Sequence, residues 1–227
     1  MSQHLNIAID GPAGAGKSTV AKLIAKRMGI RYLDTGAMYR AMALFAIRNG
    51  VDPKDPDGMK AILDRADIRV RYAEDGSQHV LLGEEDVTDQ LRTPELSMGA
   101  SNVGLHPEVR IKLTELQRKV GTEYDVVMDG REITTNVLPD TPYKFYVTAD
   151  DTERARRRVE EMRLKTGVAP DFEETLEDIR RRDKNDMERE YMPLRIAEDA
   201  VVVDTTHMTV DEVADKMIGI ILKKKGD

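Results

Sequence analysis

The chain has 227 residues, 40% of them hydrophobic and 34% charged, and its formal net charge is −7. That is enough apolar material for one domain's core under a highly charged surface, and the acidic balance argues against non-specific nucleic-acid binding. Zero cysteines exclude a disulfide framework, a thiolate nucleophile and a cysteine-based zinc site. The histidines (His4, His79, His106, His207) are scattered, without the H-x-x-x-H spacing of a metal-binding pair. No apolar run approaches the ~20 residues that cross a bilayer. The opening MSQHLNIAID lacks a signal peptide's basic-then-apolar order. The expectation is a cytoplasmic monomer, 1–227 as a single domain, with neither membrane nor nucleic acid as partner.

In chain order, Leu5 to Ile9 is a short apolar run that reads as a buried strand. A Gly-rich turn follows, then a helix from about Lys17 to Met28 with Val20, Leu23, Ile24 and Met28 on one face. Arg31 to Leu33 reads as a second strand. A helix from about Ala37 to Arg48 ends with Gly50 as its C′ residue. Between Asp67 and Arg92 the pattern changes: Ile68–Tyr72 alternates, Asp75-Gly76 turns, and His79–Leu82 extends again. This predicts a small antiparallel sheet inserted in the chain.

Helices at about Pro94–Val103 and Pro107–Val120 come next, then strands at Asp125–Met128, Tyr143–Val147 and Ala200–Val203. Two long charged helices, about Thr152–Lys165 and Phe172–Arg189, lie between the last two strands. The final helix opens at the capping box Thr209-Val-Asp-Glu212 and runs to about Leu222. Strands alternating with helices predict an α/β fold whose mostly parallel sheet is covered on both faces.

The segment Gly11-Pro12-Ala13-Gly14-Ala15-Gly16-Lys17-Ser18 fits G-x-x-x-x-G-K-[ST], between an apolar strand and an amphipathic helix. Glycines let backbone N–H groups turn inward as a nest for phosphate oxygens, and the helix N-terminus adds roughly half a positive charge. Lys17 suits the β- and γ-phosphates, and the Ser18 hydroxyl suits Mg²⁺. The chain is therefore expected to bind a nucleoside triphosphate.

Three further constellations bear on the reaction. Asp34-Thr-Gly-Ala-Met-Tyr-Arg40 follows the second strand, where open α/β sheets collect ligands. Thr35 and Arg40 could hold a second phosphate and Asp34 could support Mg²⁺ through water; equally, Asp34 or Thr35 could be a polar N-cap beside a solvated arginine. Asp129-Gly-Arg-Glu132 ends a strand, as a binding edge or as an ordinary turn. In the charged helices Arg154, Arg157 and Arg158 share one face, and Arg182, Asp186 and Arg189 another. These faces suit a mobile arginine lid over phosphates, or a solvated salt-bridged surface.

Together these features resemble the bacterial cytidylate kinases over nearly the whole chain. The residues that carry the resemblance are GPAGAGKST (11–19), DTGAMYR (34–40), ASNV (100–103), HPEVR (106–110), DGR (129–131), RARRR (154–158) and RRDKNDMER (181–189). The resemblance implies a P-loop NTPase-type parallel sheet flanked by helices, core about 1–60, 94–150 and 198–227. It further implies a nucleotide-monophosphate-binding insert at about 61–93 and a helical arginine-rich lid at about 151–197. In that family ATP donates its γ-phosphoryl group to CMP or dCMP, with Mg²⁺.

By the same resemblance, Gly11 to Thr19 would hold ATP, with Thr35, Arg40 and Arg131 on the acceptor's phosphate. Ser101, Arg110 and Glu132 would read cytosine, and Arg182 and Asp186 the sugar hydroxyls. Lys17, Arg131, Arg157, Arg158 and Arg189 would neutralise the transferring group. The family usually reads D-G-R-D-I-G-T where this chain has Asp129-Gly-Arg-Glu-Ile-Thr-Thr135. Glu132 keeps the carboxylate but adds a methylene, and Thr134 replaces a glycine, which bears on the base contact and the local backbone.

Such a reaction needs no protein nucleophile, because the acceptor phosphate is already anionic and catalysis reduces to alignment and charge neutralisation. The rivals are a P-loop kinase for another acceptor, shikimate or dephospho-coenzyme A among them, and a nucleotide-dependent switch. A GTP switch should carry N-K-x-D for guanine, and the chain has no such motif.

Overall fold

Strand β1 (Asn6–Asp10) is buried along its whole length, the burial expected of a central strand in an α/β sheet. The computed structural model describes residues 4–226. Met1–Gln3, which belong to the opening read above for a signal peptide, and Asp227 lie outside the described residues. After β1 come α1 (Lys17–Met28), β2 (Arg31–Asp34), α2 (Thr35–Arg48) and α3 (Pro56–Leu63). The inserted sheet follows as β3 (Ile68–Tyr72), β4 (Gln78–Leu82) and β5 (Glu85–Asp86), with a 3-10 turn at Thr88–Leu91. Next are α4 (Pro94–Val103), α5 (Pro107–Glu123), β6 (Val126–Gly130), a π turn at Ile133–Val137 and β7 (Tyr143–Thr148). The chain closes with α6 (Asp151–Thr166), α7 (Phe172–Glu188), β8 (Val201–Asp204) and α8 (Val210–Gly226).

The main sheet has strand order β2-β6-β1-β7-β8, and β7 pairs in parallel with β1 and with β8. This is the P-loop-type α/β architecture expected from the sequence. Among the described residues no helix is long and apolar enough to cross a membrane.

The described chain divides into two compact units. One comprises residues 4–5 and Ile30–Met128. Its largest helix packing is α2 against α4, over a core that includes Met38, Met42, Met59 and Leu113. Its three-stranded sheet β3-β4-β5 is antiparallel, with Ile68 opposite Leu82 and Tyr72 opposite Gln78. Asp75-Gly76 makes the predicted turn, Gly76 at φ +84°.

The other unit comprises Asn6–Gly29 and residues 129–226. In it α1 packs on α8. Val20 and Ile24 of α1, and Val213 and Met217 of α8, are fully or almost fully buried. Each such side chain contributes roughly 1.5–3 kcal/mol. α6 and α7 share a small core of Ala155, Leu176 and Ile179, with Phe172 against it.

Most predicted elements appear within a residue or two. The Thr209–Glu212 capping box forms in both directions, with Glu212 accepting from the Thr209 N–H at 2.8 Å and the Glu212 N–H donating to Thr209 at 3.3 Å. Gly50 takes the left-handed conformation of a C′ residue at φ +70°. Three differences have local causes. Helix α2 starts at Thr35 rather than Ala37 because the Asp34 carboxylate caps it. The short helix α3, with Asp55 as N-cap and Pro56 at its start, buries only Met59 and Ile62 and so gives little periodic signal. Strand β5 is two residues long and exposed, too short for alternation to register.

Candidate active site

In the second unit, Gly11–Gly16 forms the turn between β1 and α1. Gly11 sits at φ +148°, and a Cβ there would fall 1.9 Å from the Val147 carbonyl oxygen, so only glycine fits. Gly16, the N-cap of α1, is left-handed at φ +83°. Lys17 opens the helix, is buried, and donates from Nζ to the Pro12 carbonyl at 2.6 Å. Burial lowers its ammonium pKa to about 7; the nearby Arg131 adds to the shift, while Asp129, Asp10 and Asp186 oppose it. A buried cation in this position favours an arriving polyphosphate.

The Ser18 hydroxyl donates to Asp129 Oδ2 at 2.7 Å, joining the loop to the end of β6. A hydroxyl and a carboxylate are hard oxygen donors, the pair that holds Mg²⁺ in P-loop enzymes. Asp10, fully buried at the end of β1, accepts three hydrogen bonds from the segment after β6. The Ile133 and Thr134 N–H groups donate at 2.9 and 2.7 Å, and the Thr134 hydroxyl at 2.6 Å. Burial nevertheless raises the Asp10 pKa to about 6. The residue that departs from the family's glycine thus adds a hydrogen bond to this buried carboxylate.

Arg131 donates from Nε to Asp186 Oδ2 at 2.7 Å. Arg189 donates to Asp186 Oδ1 at 3.2 Å, to Glu132 Oε2 at 3.1 Å and to the Met192 carbonyl at 2.7 Å. Met192 presents that carbonyl from a left-handed backbone, φ 49°, uncommon for a side chain of its size. Burial alone would raise the Asp186 pKa, but Arg131 and Arg189 outweigh it and hold the carboxyl below its ordinary value. For the Arg131 guanidinium, burial works against the charge and Asp186 more than restores it, raising the pKa. Burial, with Arg131 nearby, lowers the pKa of Arg182. Arg131, Glu132, Asp186 and Arg189 are thus brought together, with Arg182 close enough to feel the Arg131 and Asp186 charges.

The lid arginines are not equivalent. Arg154 is buried and donates to the carbonyls of Ala149 and Ala13 and to Asp183. Arg157 donates to Thr205 Oγ1 at 3.0 Å and to the Thr205 carbonyl at 2.6 Å, and its guanidinium lies 4.0 Å from where a Gly16 Cβ would be. Arg158 is half-exposed and pairs with Glu161 at 2.9 Å.

In the first unit, Asp34 accepts from the Ala37 N–H at 2.9 Å and from Arg40 at 2.8 Å. Its carboxylate is therefore engaged as helix cap and arginine partner. Thr35 is buried at the start of α2, and Ser101 is half-buried on α4. Buried Arg110 on α5 donates to the Tyr39 hydroxyl at 3.0 Å, its guanidinium 5.3 Å from the Tyr39 ring centroid. Gln78, tied to a site segment, carries no local motif that marks it. Asp10 beside the phosphate loop and Asp183 within the motif at 181–189 stand at motifs that do not indicate their long-range bonds. Asp129 stands in the motif at 129–132, but nothing in that motif marks its bond to Ser18.

A family model described as cytidylate kinase matches residues 7–223. The cytidylate kinase of Caldicellulosiruptor bescii is 46% identical over 97% of this chain and 97% of that protein. That of Bacillus subtilis is 45% identical over 99% of each. Among solved structures, an uncharacterized protein from Eubacterium ventriosum is similar in fold, with TM-score 0.53 and 16% identity over 97% of this chain and 99% of that one.

Proposed function

Because the chain belongs to the cytidylate kinase family, we propose that it transfers the γ-phosphoryl group of ATP to CMP, and to dCMP, giving ADP and CDP or dCDP. The observation that carries this is the phosphate loop opening α1, with buried Lys17 behind it and Ser18 on Asp129. Gly11 to Thr19 hold ATP. Mg²⁺, held by Ser18 and Asp129, would neutralise charge on the phosphates. Asp34 would serve the metal only through water, since its carboxylate is engaged by α2 and Arg40.

On the acceptor side, the family resemblance gives Thr35, Arg40 and Arg131 to the phosphate, Ser101, Arg110 and Glu132 to the base, and Arg182 with Asp186 to the sugar. Arg157, Arg158 and Arg189 surround the transferring group from the lid at about 151–197, and the insert at about 61–93 serves the monophosphate. Chemistry then needs alignment and charge neutralisation but no protein nucleophile. The ion pairs of Asp186 with Arg131 and Arg189 keep these guanidiniums oriented before substrate arrives. Closure of the lid would exclude water that otherwise hydrolyses ATP. We place the enzyme in the cytoplasm as a monomer.

The test is ATP consumption with and without CMP, followed by phosphorus NMR. Rapid formation of ADP and CDP only when CMP is present supports the proposal. ATP turnover at the same rate without an acceptor would refute it.

A further inference from the structure

Tyr72 and Gln78 face each other across β3 and β4, and this one register pair reaches both ends of β2. At the start of β2 the Arg31 guanidinium lies over the Tyr72 ring, 5.2 Å from its centroid. At the end of β2 the Asp34 N–H donates to Gln78 Oε1 at 2.6 Å, and Gln78 Nε2 donates to the Asp34 carbonyl at 3.3 Å. The side-chain amide thus satisfies both backbone groups of Asp34, as a neighbouring strand would. A one-residue slip between β3 and β4 would turn one of the pair to the other face and break this grip.

Asp34 is the point on which the following segment is hung. Its carboxylate caps α2 through Ala37 and accepts from Arg40. Any shift of its backbone therefore carries Thr35, the first turn of α2 and the Arg40 guanidinium with it. Gln78 is only partly buried, so its amide adds little to the apolar core that stabilises the unit.

We propose that Gln78 is a positioning residue for the segment Asp34–Arg40, through which the inserted sheet sets how tightly the acceptor's phosphate is gripped. This rests on the acceptor role given above to Thr35 and Arg40. A merely structural contact would lower stability and affect both substrates alike. A positioning contact raises KM for CMP selectively.

The experiment measures KM and kcat for CMP and for ATP, varied independently, with melting temperature, in Gln78→Ala and Gln78→Met. The methionine keeps the side chain's length and packing but neither hydrogen bond. Both variants are expected to raise KM for CMP roughly tenfold, with KM for ATP within about twofold of the parent. A methionine variant with parental KM for CMP would overturn the proposal, as would equal rises for the two substrates. Arg40→Ala is measured alongside. If Arg40→Ala raises KM for CMP and the Gln78 variants do not, Gln78 alone has been misassigned. If Arg40→Ala leaves it unchanged, the acceptor reading falls and the proposal with it.

Discussion

Arg154 and Asp183 close on one residue of the phosphate loop from both sides: the Ala13 N–H donates to Asp183 at 2.9 Å, and the Ala13 carbonyl accepts from Arg154 at 2.8 Å. The two side chains also pair with each other at 2.5 Å, and both are buried. Helices α6 and α7 are thereby anchored at the loop that would hold ATP. Removing one partner leaves a buried charge uncompensated. Asp183→Ala should therefore cost on the order of 3–5 kcal/mol in urea unfolding and weaken ATP binding. Unfolding and ATP affinity both matching the parent would show that the pair does not brace the loop.

Lys17→Met should remove most transfer. Losing a charge contact of the transition state costs on the order of 3–4 kcal/mol, about 10²–10³-fold in kcat. The free variant should melt no lower than the parent, because burial already disfavours the ammonium there. Near-parental turnover would remove Lys17 from the mechanism.

The same lysine makes ATP binding proton-linked. In the free protein its pKa is lowered to about 7, so at pH 8 most of it is neutral. An arriving polyphosphate favours the charged form and raises that pKa. Calorimetry at pH 8, in buffers of different ionisation enthalpy, should show proton uptake on ATP binding, absent from Lys17→Met. The linkage to folding has the same origin. With a folded pKa below the unfolded value of about 10.4, Lys17 makes the free protein gain stability as pH rises from about 7 toward 10. Equal proton uptake in parent and variant would assign the effect to another group.

Thr134→Val tests the hydroxyl that stands where the family has glycine. At pH 8 Asp10 is ionised, and losing a donor to a buried carboxylate should cost about 1.5–3 kcal/mol. The Asp10 pKa is raised to about 6. Its stabilising contribution is thus fully present below the unfolded value of about 3.9 and lost as pH rises through 6. At pH 5 the group is mostly protonated, so the variant's penalty should shrink. A penalty independent of pH between 5 and 8 would show that the hydroxyl does not serve the carboxylate.

Most of the fold was legible because it is written locally. The spans of α1, α4 and β3 follow from caps, turns and periodicity within a dozen residues. The phosphate loop is legible for the same reason. What was not legible joins distant segments: Asp183 meets Ala13 across 170 residues, and Asp10 meets Ile133 across 123. Asp10 directly precedes the phosphate loop and Asp183 lies within the motif at 181–189, but neither motif says which distant backbone group its carboxylate binds. At Asp34 the N-cap forms, and the same carboxylate holds Arg40.

Asp186→Ala releases Arg131 and Arg189 together, since one carboxylate accepts from both. Binding of CMP should weaken by about 1–3 kcal/mol, measured by titration calorimetry, with ATP affinity little changed. Equal losses for the two nucleotides would place the carboxylate in a purely structural role.

Base choice tests the central claim most directly. Cytosine offers an amino donor at N4 beside acceptors at N3 and O2, which a carboxylate and a guanidinium complement. Uracil reverses two of these positions, and each buried mispairing costs roughly 1–3 kcal/mol. The measurement is kcat/KM with ATP for CMP, UMP and AMP. The account predicts CMP ahead of UMP by about 10–10²-fold or more, and ahead of AMP. An enzyme that prefers AMP would contradict it.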